Sequence, residues 1–392
     1  MKGTCFIRYI FPLFIILIES SFVMRAQEKK SSLLSRVKGR LSTEIVVGSY
    51  TFKDGSIYTG ELRGRKPYGY GKTVFPNGDV YEGDYVKGKR EGHGTYTFHD
   101  GERYEGQWFQ DQQHGRGIYH FINNNRYEGD WYRDYQHGEG TMYYHNGDVY
   151  VGEWKNDKRE GQGTYTWHNG SRYVGGWLND KKHGKGTITW NDSNRYEGEW
   201  KNDVFDGQGT YDYANGDRYI GQWKDNLMHG QGSYVSHSGD SYVGAYVEGE
   251  RTGQGTIQYA DGNKYVGNFK DGYRDGYGVF TWTGGAVYEG HWKANNREGH
   301  GVYKWSVGDV YDGEWRNNTF HGNGELTRQN GEKYKGAFVN GKKEGKGVLE
   351  TPDGTRFDGF FKQDQKNGPF VETDSNGTVV RRGTYKMGKL QQ

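Results

Sequence analysis

The sequence predicts an all-β protein, an elongated single-layer antiparallel meander of about fourteen β-hairpin repeats of 23 residues each. Three observations carry this prediction. An aromatic residue recurs every 23 positions, as Tyr from Tyr58 to Tyr334 and as Phe at Phe357. Glycine stands two, eleven and thirteen residues after it, as Gly129, Gly138 and Gly140 follow Tyr127; Phe370 is the one departure. A second aromatic falls four residues after the first in every repeat except at Leu62.

The turns are marked by residues that tolerate a positive φ. Seven residues after the leading ring lies Gly, Asp or Asn in every repeat but the first, as in Asn156-Asp157 and Asn340-Gly341. Twenty residues after it lies Gly, with Asn124 and Ser193 as the exceptions. Two such marks per unit, with short alternating runs between them, give two strands per repeat. Twenty-eight strands spaced about 4.8 Å apart would extend on the order of 130 Å.

Register follows from the assumed turn centres. Tyr127 is expected between Phe121 and Met142, and Trp131 between Gly117 and Gly138, the indole filling the trough left by residues without a Cβ. All twelve Trp fall in two columns, four and seventeen residues after the leading ring. Trp167, Trp190, Trp282 and Trp305 form the second column. Both columns should share a face with the glycines, while Glu82, Glu105, Thr95, Thr97 and Lys155 point to solvent on the other.

Composition agrees with this picture and excludes others. Sixty-six Gly and 34 Tyr among 392 residues, with 32% hydrophobic residues, cannot furnish an ordinary aliphatic core. A content of 16% aromatic residues argues against disorder. Setting Lys2, Arg8, Arg25 and Glu19 aside from 52 basic and 50 acidic residues leaves 49 of each. That neutral balance gives no footprint for nucleic acid and none for simple electrostatic attraction to anionic lipid.

Residues 1–26 read as a signal peptide or an N-terminal membrane anchor. Lys2 and Arg8 precede the apolar run Tyr9 to Ile18, which suits a signal-peptide core and falls short of the roughly 20 residues a bilayer requires. Export to a secreted or periplasmic location, with the mature chain beginning near Gln27, is the expectation; retention by an uncleaved anchor is the alternative. The one cysteine, Cys5, lies in this segment, so the rest of the chain has no disulfide. Residues 27–45 read as a basic linker, 46–385 as the repeat array and 386–392 as a C-terminal tail. Gly48, Tyr50, Phe52 and Gly55 match the second half of a repeat at the start of the array. Arg381 to Tyr385 resembles a worn half-unit at its end, as capping repeats do.

Tyr-x-Gly-x-Trp followed by Gly-x-Gly-x-Tyr at a 23-residue period resembles the MORN (membrane occupation and recognition nexus) repeat, over roughly Val46 to Tyr385. The resemblance implies a slightly twisted one-layer β ribbon that serves as a scaffold, a protein-binding module or a membrane-association module. Some relatives carry a lipid-kinase or methyltransferase domain after such repeats. The 31 residues after Phe361 are expected to be too few for either, so those activities do not carry over.

No residue pattern points to catalysis, a cofactor or a metal. Gly-x-Gly recurs without a following helix to present amides to a phosphate. His114, His137, His183, His229 and His321 recur one position before the second glycine. Neighbouring repeats would hold equivalent side chains about 10 Å apart, too far for shared ligation of zinc, and they read as surface histidines. Glu153, Glu199 and Glu314 read as a solvated column. The expected function is a non-catalytic scaffold that binds a protein partner or a second copy of itself. Association with membrane phospholipid, and glycan binding through the rings, are the alternatives; nucleic acid is not expected. The candidate partner-binding face is the first ring column: Trp108, Trp131, Trp154, Trp177, Trp200, Trp223, Tyr246, Phe269, Trp292 and Trp315. Tyr246 and Phe269 stand out because neither column has a Trp between Lys224 and Thr281.

Overall fold

The computed structural model describes residues 44–392. The signal or anchor segment 1–26, and residues 27–43 of the linker, lie outside the described residues. Strands account for all the regular structure among the described residues, numbered β1 to β31, and no helix is found there. The chain divides into two compact units, Met1–His168 and Asn169–Gln392.

In the first unit, successive strands pair antiparallel, each repeat contributing a seven-residue and a nine-residue strand. The repeat at Tyr127 shows why. Strand β8 (Arg126–Tyr132) and strand β9 (Tyr135–Tyr143) are joined by Arg133-Asp134, whose φ values of 51° and 70° make the two-residue turn that matches the strands' own twist. Asp134 also latches its neighbour: its carboxylate accepts the Gln113 backbone N–H at 2.8 Å. The second kind of turn is longer. Residues 121–125 close with Phe121 N–H donating to the Asn125 carbonyl and Asn124 N–H to the Phe121 carbonyl, both at 3.0 Å. Positive φ falls on Asn124. The second unit repeats both devices, as at Asn202-Asp203 and around Gly216.

The observed register corrects the expected one. Tyr127 does face Met142, but its other partner is Tyr119 and not Phe121. Trp131 faces Gln136 and Gly115 in place of Gly138 and Gly117. At the longer turn the centre is Asn123, one residue before the residue with positive φ, and a one-residue displacement moves every cross-strand partner by two. At the shorter turn, His137-Gly138-Glu139 bulge against the single residue Asp130, which absorbs two residues of β9.

The glycines also do something other than the trough argument supposed. Gly138 has φ of 64° in the bulge, and a Cβ there would lie 2.8 Å from the Asp130 carboxylate. That carboxylate accepts the Glu139 N–H released by the bulge, at 3.1 Å. Gly138 therefore lies against the face away from Trp131. Gly129 and Gly140 face each other, and a Cβ on Gly140 would meet the Tyr127 hydroxyl at 2.3 Å. The trough is filled by the leading tyrosine, whose hydroxyl donates to the Asp130 carbonyl at 3.0 Å. Eleven of the thirteen leading tyrosines have no solvent exposure at all.

Strand pairing continues into residues 386–392. Strand β30 runs Val379–Lys386, and Tyr385 and Lys386 pair with Leu390 and Lys389 in β31.

Candidate functional site

The first ring column, the candidate partner-binding face, is closed over by side chains of its own sheet. All ten of its positions are buried, each only 3–6% exposed. A single sheet can bury them because three sets of side chains cover each ring. Tyr104, for example, lies edge-on between Trp108 and Trp131, with centroids 5.2 and 5.3 Å away. The third cover is a column the sequence reading passed over, nine residues after the leading Tyr. Arg90 lies over Trp108 at 4.3 Å, Lys182 over Trp200 at 4.4 Å, Arg274 over Trp292 at 4.4 Å and Arg297 over Trp315 at 4.2 Å. Cations on indole faces combine apolar cover from the stem with attraction to the ring quadrupole. The signal was present as a periodic basic residue, at Arg90, Arg159, Lys182, Arg251, Arg274, Arg297, Lys343 and Lys366. Removing Tyr246 and Phe269 thus removes core and would report on folding before it reported on a partner.

The histidine column departs from expectation too. His114, His137, His183 and His321 are half-buried, and their Nδ1 atoms are shielded from water without a hydrogen bond. His114 packs between the rings of Phe109 and Tyr132. Among the described residues, no group of three or more His, Cys, Asp or Glu could hold a metal ion.

Part of the ring face stays open. In the second unit a cleft of about 830 Å³ is bounded by Tyr213, Tyr234, Tyr246, Tyr259 and Phe269, with Asp217, Asp240, Arg251 and Arg274 among its polar groups. Most of its lining lies in the stretch from Lys224 to Thr281 where both columns lack Trp. From Phe75 to Trp305 the seventeenth position is a ring in every repeat except at Ser236, which leaves a gap between Tyr213 and Tyr259. The fifteenth position, elsewhere often Tyr, is Ile257. The smaller rings Tyr246 and Phe269 replace the indoles of Trp223 and Trp292 on either side.

The polar groups of the cleft differ in how firmly they are held. Asp217 is saturated: Tyr234 donates its hydroxyl at 2.5 Å, and the His237 backbone N–H and ring nitrogen lie at 2.8 and 3.0 Å. The Tyr234 and His237 bonds hold its carboxyl well below the usual carboxylate range. Burial, reinforced by the bond to Asp217, pushes the Tyr234 phenol up. Arg274 is pinned by the Asn295 side chain and carbonyl, at 3.3 and 3.2 Å, and burial lowers its pKa. Arg251 is not pinned. Its guanidinium lies 5.4 Å from the Tyr242 ring and 5.7 Å from Phe269, but the turn residue that would latch it is Gly272. Only the backbone bond from Gly272 N–H to the Arg251 carbonyl, at 3.1 Å, remains there. Among the described residues no hydrogen-bond acceptor meets the Arg251 guanidinium.

A meander of 23-residue hairpins whose rings are clamped between tyrosines and cations defines an open β-hairpin repeat protein. The family model described as MORN repeat matches thirteen consecutive stretches, from 58–80 through 334–356. The chain belongs to the MORN-repeat family. No curated protein matches it. Among solved structures, the wild-type TCP10 domain of Danio rerio CPAP is similar at 11% identity, over 56% of this chain and 98% of that one, with a TM-score of 0.29. The SAS-4 TCP domain of Drosophila melanogaster, solved with a proline-rich motif of Ana2, is 15% identical over 40% of this chain and 85% of that one, with a TM-score of 0.26. A virginiamycin B lyase from Staphylococcus aureus is 11% identical over 79% and 97%, with a TM-score of 0.12. Likenesses this slight carry no argument about function.

Proposed function

We propose that the chain is a non-catalytic scaffold that binds a protein partner, with the repeats around Tyr219 to Phe280 as the contact region. One observation on the outer face carries this reading. The position after the leading Tyr is Glu82, Glu105 and Glu128 in three successive repeats of the first unit, the solvated column the sequence suggests, and exposed valines stand there at Val151 and Val174. Between Glu197 and Glu289 it is Ile220, Val243 and Val266 in three successive repeats, which are 49%, 57% and 42% exposed. Their cross-strand neighbours are Thr210, Ser233, Thr256 and Val279, so no carboxylate or ammonium interrupts the strip. Three exposed aliphatic side chains in successive repeats make the longest apolar run at this position, and such exposed surface is the usual mark of a protein contact.

The test uses substitutions the fold already accepts. Ile220→Glu with Val243→Glu places on this strip the residue that the same position carries at Glu82 and Glu105. The full chain is used to capture proteins from its native host, identified by mass spectrometry. The double variant is expected to melt like the parent and to lose its specific partner. Undiminished capture would refute the assignment of this strip. Flotation of the full chain on anionic liposomes, with salt-sensitive recovery, would favour the membrane reading instead. Export through residues 1–26 belongs to the same proposal, and N-terminal sequencing of the native protein checks it: a start near Gln27 supports export and cleavage, and an intact Met1 opposes them.

A further inference from the structure

We propose that the cleft beside Ile257 is a receptor site for a tyrosine side chain carried by a partner protein, a specification that rests on the protein-binding reading above.

The repeats themselves supply the template. Four times, the tyrosine at the fifteenth position gives its hydroxyl to the acid seventeen residues before it. Tyr96 donates to Asp79 at 2.7 Å, Tyr165 to Asp148 at 2.7 Å and Tyr234 to Asp217 at 2.5 Å, and Tyr119 donates to Glu102. Beside two of these phenols lies the arginine of the ninth position, Arg90 at 5.2 Å from the Tyr96 ring and Arg159 at 5.5 Å from Tyr165. The acid is oriented each time by a backbone N–H three residues beyond the tyrosine, such as His99 N–H to Asp79 at 2.9 Å.

At the ninth repeat every part of this constellation is kept except the phenol. Asp240 stands seventeen residues before Ile257, and one of its oxygens accepts the Ala260 N–H at 2.8 Å, as Asp79 accepts that of His99. Its other oxygen, the one that receives a tyrosine hydroxyl elsewhere, has no partner among the described residues. Arg251 holds the arginine place without the turn latch of its counterparts. Where other repeats lack the tyrosine, the acid is missing too, is already engaged, or lacks the orienting N–H, as Glu332 does before Leu349 because Pro352 has no N–H to give. Seventeen residues before Met142 stands Asn125 and before Ile188 stands Ser171, and before Leu326 the Asp309 carboxylate is bonded by Arg328 at 2.7 Å. Ile257 with Asp240 is the pairing in which an acid oriented by the backbone is left without its phenol.

Space agrees with chemistry. The volume that a phenol would take is joined to the gap left by Ser236, and the whole cleft, about 830 Å³, is several times the size of one ring. It is open along the sheet, with turn backbone at Gly249 and Gly272 on one side. A peptide can thus lay its main chain along the cleft while its tyrosine descends to Asp240. A free phenol would leave most of the cleft unfilled.

The full chain is titrated with the probe peptide Gly-Gly-Tyr-Gly-Gly, with its phenylalanine counterpart and with free p-cresol, followed by saturation-transfer NMR. The tyrosine peptide is expected to bind saturably and about tenfold more tightly than the phenylalanine peptide, the scale of one hydrogen bond to a charged acceptor. Ile257→Tyr fills the site with its own phenol and is expected to raise the melting midpoint and abolish binding. Asp240→Asn is expected to keep the fold and weaken binding of the tyrosine peptide alone. Equal binding of the two peptides, undiminished binding by Ile257→Tyr, or no saturable binding overturns the proposal. Binding of p-cresol as tight as that of the tyrosine peptide overturns the protein source in favour of a small phenol. The Ile220 and Val243 strip lies on the opposite face, so partner capture that survives loss of the phenol site would sink this inference and leave the scaffold reading intact.

Discussion

The guanidinium carbon of Arg297 lies 4.2 Å from the centroid of the Trp315 ring, on the side that no second sheet covers. Its outer nitrogen donates to the Asn318 carbonyl at 2.9 Å, which fixes the plane over the indole. A protein with one layer thus obtains the enclosure that two layers normally provide.

If covering is the role of that column, chemistry at the ninth position matters less than bulk. Arg297→Ala is expected to lower stability by about 1–2 kcal/mol, through the lost cation–π contact and the uncovered indole. Arg297→Met should recover most of it, because Met228 and Phe320 already occupy the same place in other repeats. Equal losses in thermal or urea denaturation of the two variants would count against a covering role.

The tyrosine-filled trough makes glycine positions unequal. Gly140→Ala forces a Cβ to within 2.3 Å of the Tyr127 hydroxyl and 2.5 Å of its ring, and is expected to cost about 1–3 kcal/mol. Gly284 has open space where a Cβ would go and no positive φ, so Gly284→Ala should lie within about 0.5 kcal/mol of the parent. Matching midpoints for these two variants would mean that the tyrosine can move aside at little cost.

Acid should loosen the first unit at one identifiable carboxylate. Burial raises the Asp79 pKa, but hydrogen bonds from Tyr96, Asn77 and His99 outweigh it and bring it down to about 2. A depressed carboxylate adds stability that is complete above its unfolded value of about 3.9 and is lost as pH falls toward the folded value. The melting midpoint is expected to fall between about pH 4 and pH 2, and to fall less steeply in Asp79→Asn. Identical pH profiles for parent and variant would remove Asp79 from the account.

The phase of the array was open to reading because its causes are local. A positive φ at Asp134 or Asn124, and a leading ring with glycines two and thirteen residues on, are properties of short stretches, and they determined the repeat, the strand count per unit and the family. Partners across the sheet depend on where each hairpin centres. The bulge opposite Asp130 and the displacement to Asn123 each shifted them by two residues without any change in the pattern of residue types. Burial was less legible still. Trp131 reads as the filler of a trough between glycines, but the side chains from adjacent repeats that close over it show only in the structure, and Arg251 reads as a solvated charge until it is found within the cleft. The sequence by itself determined the repeat and therefore the hairpin, because turn chemistry and strand alternation act within 23 residues. Only the tertiary structure decided which rings are core and which acid is left without its phenol, because those depend on side chains brought together from neighbouring repeats.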